Sequence, residues 1–274
     1  MGFSGHQARK RFGQHWLKDQ TVLARIADAA DLQSLDRVLE VGPGRGALTE
    51  RLLASPVAAV HAVELDRDLV RGLQDRFGAD ARFSLRQGDV LEGPLLLGDG
   101  ASANKVVANI PYNITGPLLE RLIGRLDQPV TPPYNRLVLL VQKEVAERIR
   151  ARPGSSTFSA LSVRMQLLAH CTSVCTVPPR CFQPSPKVQS EVIQLDPRPV
   201  QQRLAPPLAR QVESLLKQAF LARRKMLRNT LGSVLPESQL QQLAQEIGIS
   251  LQQRPQELAP EQWVALARGL NQDH

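Results

Sequence analysis

The segment Glu40-Val41-Gly42-Pro43-Gly44-Arg45-Gly46 places three glycines within five residues. Glycines let a backbone turn sharply and come close to a bound molecule. Glu64 follows 22 residues after Gly42, where a carboxylate can accept hydrogen bonds from both hydroxyls of a ribose. Asp89 stands at the next comparable position and is placed to receive the amino group of an adenine. Singly, each acid also reads as a helix cap or a surface charge. In register on three consecutive strand ends they favour an adenosine ligand. A nicotinamide dinucleotide is the rival, but its G-x-G-x-x-G fingerprint sets the third glycine one residue beyond Gly46. Pro43 also removes a backbone N–H that a pyrophosphate would use.

These residues need a scaffold that sets them side by side. Short apolar runs at 37–41, 57–63, 81–86, 105–108 and 136–141 read as strands, with amphipathic helices at 47–54, 68–77 and 117–126. Strands alternating with helices imply an α/β fold with a parallel sheet covered on both faces. Ligands of such sheets lie outside the carboxyl ends of the strands, where Gly42, Glu64, Asp89 and Asn109 all fall. A helix at 159–169, a strand at 173–177 and an alternating strand at 188–195, antiparallel to its predecessor, complete the first part. Pro197, Pro199, Pro206 and Pro207 mark a linker. Beyond it, 208–221, 224–231, 236–247 and 260–270 read as helices, with prolines suited to first turns and Gly248 to a helix stop. The expected division is a catalytic domain at 1–197, opening on a basic segment at 1–18, and a helical domain at 198–274.

The strand-end arrangement resembles that of the S-adenosylmethionine methyltransferases, and this resemblance selects the cofactor. With a sulfonium methyl as electrophile, Asn109-Ile110-Pro111-Tyr112 on the fourth strand end defines the nucleophile. An exocyclic amine on a base is a poor nucleophile, because its lone pair is delocalised into the ring. Hydrogen bonds from that NH2 to the Asn109 side-chain oxygen and the Ile110 carbonyl shift density towards nitrogen. Pro111 stiffens the turn, and Tyr112 offers a ring on which an extruded base can stack.

A closer resemblance emerges from the ordered set of motifs. Arg11-Phe12-Gly13-Gln14, EVGPGRG, VELD, GDV, NIPY, LVQKEVAERI and PPRCFQPSPKVQSEV succeed one another over residues 9–195, and RRKMLRNTLG continues into the tail. Together they resemble the family of small-subunit (16S) ribosomal RNA adenine N6-dimethyltransferases. That resemblance implies a Rossmann-like class I methyltransferase sheet of seven strands, the last antiparallel, with a small all-helical C-terminal domain. It also implies N6,N6-dimethylation of two adjacent adenines in the 3′-terminal hairpin of small-subunit rRNA during ribosome biogenesis. Carried over residue by residue, the cofactor contacts are His15, Leu17, Gly42, Gly44, Glu64, Asp89 and Asn109, with S-adenosyl-L-methionine as the cofactor. Phe182 would close on the adenine face opposite Tyr112. His15-Trp16 departs from the Asn-Phe of many relatives. Two other readings share the fold: an erythromycin-resistance-type methylase of large-subunit rRNA, and a non-catalytic ribosome-assembly factor.

The charge distribution suits a polyanion. Lys and Arg total 34 against 26 Asp and Glu. The surplus is concentrated, with four basic and no acidic residues in 1–18, a neutral 19–179 and a net of +7 in 180–228. Concentrated cations bind nucleic acid by displacing condensed counterions. Arg9, Lys10, Arg11, Lys187, Arg223, Arg224, Lys225 and Arg228 are the expected RNA contacts, the last four on a helix. Cys171, Cys175 and Cys181 match no common zinc spacing and read as reduced thiols, so no metal is expected. The longest strictly apolar run, 137–141, is far short of the roughly 20 residues that span a membrane, and no secretory signal opens the chain. The expected protein is a cytoplasmic monomer that works on the small ribosomal subunit precursor and its rRNA.

Overall fold

The structure, a computed structural model, describes residues 14–95, 100–232 and 236–270. The expected RNA contacts Arg9, Lys10 and Arg11 lie outside the described residues. The chain divides into two compact units. One holds the residues up to Ile123, Pro132–Ala146 and Cys171–Pro197; the other holds Gly124–Thr131, Glu147–His170 and the residues from Arg198 onward. The sequence reading had a single boundary at 197. The chain instead passes between the units several times, and 147–170 groups with the helical tail.

The first unit is built on a seven-stranded sheet. Its strands are β2 (Arg37–Val41), β3 (Ala59–Glu64), β4 (Phe83–Gln87), β5 (Lys105–Asn109), β6 (Arg136–Gln142), β7 (Ala169–Val177) and β9 (Ser190–Pro197), in the order β4-β3-β2-β5-β6-β9-β7. The first five are parallel and β9 runs antiparallel to β6. The chain winds outward from β2 to β4, then returns to β5 on the other side of β2. That reversal opens a crevice between the carboxyl ends of β2 and β5. Val41 pairs with both Val63 and Ala108, and Glu64 with Gln87, so the four sequence segments end level.

Three elements escaped the sequence reading. Helix α1 (Gln20–Ala30) buries Val22, Leu23, Ile26 and Ala30, and the Asp19 carboxylate caps it by accepting from the N–H of Thr21 and Val22. Helix α5 (Lys143–Arg150) is highly charged. A two-residue ribbon pairs β1 (Trp16–Leu17) with β8 (Phe182–Gln183). Helices α2 (Ala47–Ala54), α3 (Arg67–Phe77) and α4 (Thr115–Ile123) stand close to where they were expected. The last strand starts at Ser190; Val188, 46% exposed, remains in the loop.

A buried ion pair holds the far end of α1. Lys105 Nζ meets Asp36 Oδ2 at 2.7 Å with both side chains under a tenth exposed, and it also donates to the carbonyls of Ala30 and Asp31. Asn104 Nδ2 and the Gln33 N–H complete the carboxylate's partners. A cation at a helix C-terminus answers the negative end of the helix dipole.

The second unit gathers α6 (Ala160–Leu168), α7 (Pro206–Leu221), α8 (Leu227–Leu231), α9 (Glu237–Glu246) and α10 (Pro260–Gly269). Trp263 is fully buried, with its ring 5.8 Å from that of Phe220. Arg164 Nε donates to both oxygens of Glu213, at 3.0 and 2.8 Å. One expectation is corrected here. The basic run does not begin a helix at 224, because the chain turns between Ala222 and Met226 and α8 starts at Leu227. The N–H groups of Leu227 and Arg228 donate to the carbonyls of Gln253 and Leu251. Docking on that neighbouring loop overrides the helical preference of the residues.

Candidate active site

The glycine turn leaves β2 with Gly42, Gly44 and Gly46 all at positive φ. At Gly44 the need is double: φ is +60°, and a Cβ would stand 2.8 Å from Cδ1 of Trp16. The Trp16 indole packs there under the Arg45 guanidinium, 4.1 Å from the ring centre. Gly42 faces the end of β5, where a Cβ would sit 3.9 Å from the Asn109 carbonyl oxygen.

Glu64 is 5% exposed at the end of β3. Its carboxylate accepts from the N–H of Gly44 at 3.0 Å and of Asp66 at 2.8 Å. Burial pushes its pKa up, against those two hydrogen bonds. Each oxygen keeps a lone pair, so the carboxylate fixes the glycine turn and still has acceptors to offer a diol. Asp89 accepts from the Leu91 N–H at 2.8 Å, which orients it at the end of β4.

Two clefts flank the Gly42–Asn109 junction. One, of about 180 Å³, is lined by Gln14, Gly42, Glu64, Leu65, Asp89, Val90, Pro111 and Ile114 among others. Its acids stand beside apolar walls, and Leu65 is 46% exposed, a lining suited to a ribose and a flat purine. The other, of about 230 Å³, is lined by Trp16, Leu17, Lys18, Pro43, Arg45, Asn109 and Gln183 among others. The donor set thus fits S-adenosylmethionine: carboxylates for its nucleoside, and a cleft at Leu17 and Asn109 for the remainder.

Asn109 ends β5 with its Nδ2 donating to the His15 carbonyl at 3.0 Å. The Ile110 side chain is buried and its N–H is taken by the Leu140 carbonyl, which anchors the turn to β6. The Pro111 carbonyl accepts from the Ile114 N–H. Tyr112 is held at its far end by a 2.5 Å hydrogen bond between its hydroxyl and Ser190 Oγ. Burial raises the phenol's pKa.

The structure brings together His15, Leu17, Gly42, Gly44, Glu64, Asp89 and the Asn109–Tyr112 turn. It does not bring Phe182 to that turn's open side. Phe182 is 1% exposed and belongs to the apolar core with Leu23, Cys181 and Val192. Its backbone is fixed opposite Leu17 by the ribbon. The ring facing Tyr112 is that of His15, at 5.6 Å between centroids and 26° between planes. Of the expected RNA contacts, Lys187, Arg224, Lys225 and Arg228 are exposed, and the Arg223 guanidinium donates to the Ser156 carbonyl.

Three participants were missed. Gln14 lines the same cleft as Glu64 and Asp89 and donates from Nε2 to Asp66 Oδ2 at 3.0 Å. Glu40, 1% exposed beneath the glycine turn, accepts from Thr49 Oγ1 at 2.7 Å. Ser190 holds Tyr112. All but Thr49 lie inside quoted motifs, yet their roles depend on partners far along the chain. The cysteines are free thiols, and burial and Asp19 push the Cys181 thiol's pKa up. Among the described residues, no helix is long and apolar enough to cross a membrane.

The fold and crevice define a class I α/β methyltransferase. Solved structures agree: a dimethyladenosine transferase from Plasmodium falciparum superposes with a TM-score of 0.79 at 26% identity, covering 92% of this chain and 96% of that one. The 23S rRNA methyltransferase ErmE superposes with a TM-score of 0.72 at 26% identity, covering 93% and 99%. Within that class, the chain belongs to the ribosomal RNA adenine dimethylase family, whose pattern it matches over residues 5–272. It is 79% identical over 272 residues to the ribosomal RNA small subunit methyltransferase A of Parasynechococcus marenigrum strain WH8102, covering 99% of this chain and 90% of the relative. The protein of that name from Synechococcus sp. strain CC9605 is 77% identical, with 99% of each chain covered.

Proposed function

We infer that this protein is an S-adenosylmethionine-dependent ribosomal RNA adenine dimethyltransferase that modifies two adjacent adenines in the 3′-terminal hairpin of the small-subunit rRNA. The observation that carries the reading is that Asn109 and the nucleoside acids line the two clefts on either side of the Gly42–Asn109 junction, in a chain whose 79%-identical relative bears a small-subunit name. When bound, the cofactor supplies an electrophilic methyl on a sulfonium sulfur.

The chain's own residues do the rest. Glu64 and Asp89 hold the nucleoside, and the glycine turn lets the backbone lie close to it. With Nδ2 committed to His15, Asn109 presents Oδ1 to the adenine NH2, and the Ile110 carbonyl offers a second acceptor. Those acceptors gain strength as positive charge grows on the attacking nitrogen, so catalysis rests on orientation and preorganised dipoles. A strong general base is unnecessary, since the methylated nitrogen is acidic and sheds its proton to water. No metal is needed, because the leaving group is already activated. Action as a monomer is part of the same proposal. Cytoplasmic action on a precursor of the small subunit follows from the substrate. Lys187 and the exposed cations after α7 are the proposed RNA contacts, with Arg9, Lys10 and Arg11.

The large-subunit reading has the superposition with ErmE in its favour. Labelled methyl transfer to purified unmethylated small and large subunits, followed by mapping of the modified nucleotide, tests both. Label on adjacent adenines of the small subunit is expected; label confined to the large subunit would overturn the assignment.

A further inference from the structure

We propose that the His15 side chain is a gate, a ring parked on Tyr112 in the place that the target adenine must take. The proposal rests on the functional reading above. A planar base inserted between two rings needs two carbon contact distances of about 3.5 Å each, so the rings must stand roughly 7 Å apart. His15 and Tyr112 are 5.6 Å apart. As they stand, the two rings therefore leave no room for a base between them.

The parked ring is tied in place. His15 Nδ1 lies 2.8 Å from the Pro184 carbonyl oxygen, which can only accept, so Nδ1 carries the proton and donates. The backbone of His15 is fastened separately, by Asn109 Nδ2 on its carbonyl and by the β1–β8 ribbon next to it. Opening thus needs only a side-chain rotation that gives up one hydrogen bond and one stack. Tyr112 cannot yield instead, because its hydroxyl is held by the fully buried Ser190. The Phe182 ring cannot serve as the parked lid, being sealed in the core.

A gate of this kind taxes base capture. An incoming purine regains the stack on a larger ring, and its amine meets Asn109 Oδ1 once the imidazole has left. One stack and one exposed hydrogen bond together correspond to about a tenfold factor in equilibrium.

The test compares wild type with His15→Ala and His15→Asn at saturating S-adenosylmethionine, with unmethylated small subunits as substrate. The expected result is a KM for subunits lowered by about 3- to 10-fold, while a merely structural role for His15 would raise KM or leave it alone. A second measurement needs no variant. In the free protein the His15 ring protons should show an upfield ring-current shift in NMR that Tyr112→Leu abolishes, and a saturating adenine-bearing rRNA hairpin should remove it. An unchanged or raised KM, or a ring-current shift retained in the saturated complex, overturns the gate and means that adenine docks on the other face of Tyr112. Failure of the wild type to methylate small-subunit RNA would instead sink the functional reading, and the gate with it.

Discussion

Asn109 Nδ2 donates to the carbonyl oxygen of His15 across 3.0 Å, joining the end of β5 to the residue just before β1, 94 positions earlier. A carbonyl can only accept, so the amide's orientation is fixed and Oδ1 is left as the acceptor for substrate. Asn109→Ala removes both the acceptor and the tether. Methyl transfer should fall at least about 100-fold, the scale of losing one preorganised polar partner. Single-turnover rates with labelled cofactor will show it. A near-normal rate would remove Asn109 from the mechanism.

Glu64 makes a sharper chemical test because its partners are both backbone donors. Glu64→Gln keeps the shape but turns an NH2 towards the N–H of either Gly44 or Asp66. A donor facing a donor costs about 1–3 kcal/mol. Cofactor affinity should drop at least about tenfold by calorimetry, with Glu64→Asp also weakened because the shorter chain cannot span both turns. Unaltered binding in Glu64→Gln would exclude the carboxylate from the nucleoside site.

Most of the sheet was legible because parallel strands buried on both faces are continuous apolar runs. The glycine turn, Glu64 and Asp89 were legible because each follows such a run directly. Helix α1 had a signal that went unused: Asp19 is an N-cap, and Val22, Leu23, Ile26 and Ala30 follow at helical spacing. The β1–β8 ribbon had none, since two-residue strands far apart in sequence carry no local pattern. Phe182 shows a different limit. A motif locates the residue, whereas its burial is decided by the elements packed around it. The basic turn before α8 was misread because Arg, Lys, Met and Leu all favour helix, while the loop that captures Leu227 and Arg228 lies more than 20 residues away.

Glu40 makes stability depend on pH. Complete burial, with a contribution from Glu64, pushes its pKa from 4.5 up to about 8. A carboxyl whose folded pKa is raised holds its proton more tightly in the native state. Its contribution is therefore full below about pH 4.5 and is lost as pH rises through about 8. Glu64, also raised by burial, acts in the same direction. Thermal unfolding should show Tm declining between pH 5 and 8. Glu40→Gln, which mimics the protonated acid and can still accept from Thr49 Oγ1, should flatten that decline. An equal slope in the variant would mean that Glu40 is ionised in the native state.

Lys105 should be indispensable to the fold while touching no substrate. Lys105→Met strands the Asp36 carboxylate, 5% exposed, and uncaps the carbonyls of Ala30 and Asp31. Breaking a buried pair from one side costs about 3–5 kcal/mol. Pairing it with Asp36→Asn, which removes the stranded charge, should recover part of that loss. Urea unfolding of both single variants and the double gives the comparison, and an additive loss would show that the two charges do not interact.

The exposed cations after α7 give the last prediction its measure. Arg224 and Lys225 stand in a turn, free of the geometry that a helix would impose, and both are exposed. Cations that neutralise phosphates contribute through released counterions, each adding about 0.7–0.9 to the slope of log affinity against log salt. Arg224→Glu with Lys225→Glu should weaken small-subunit binding and make that slope shallower by about 1–2. Arg223 is a poorer choice for reversal, since its guanidinium also serves the Ser156 carbonyl and its loss would mix folding with binding. Filter binding from low to high salt separates the outcomes. A slope unchanged by the double reversal would put the RNA contacts elsewhere, with Lys187 in the loop before β9 the next surface to reverse.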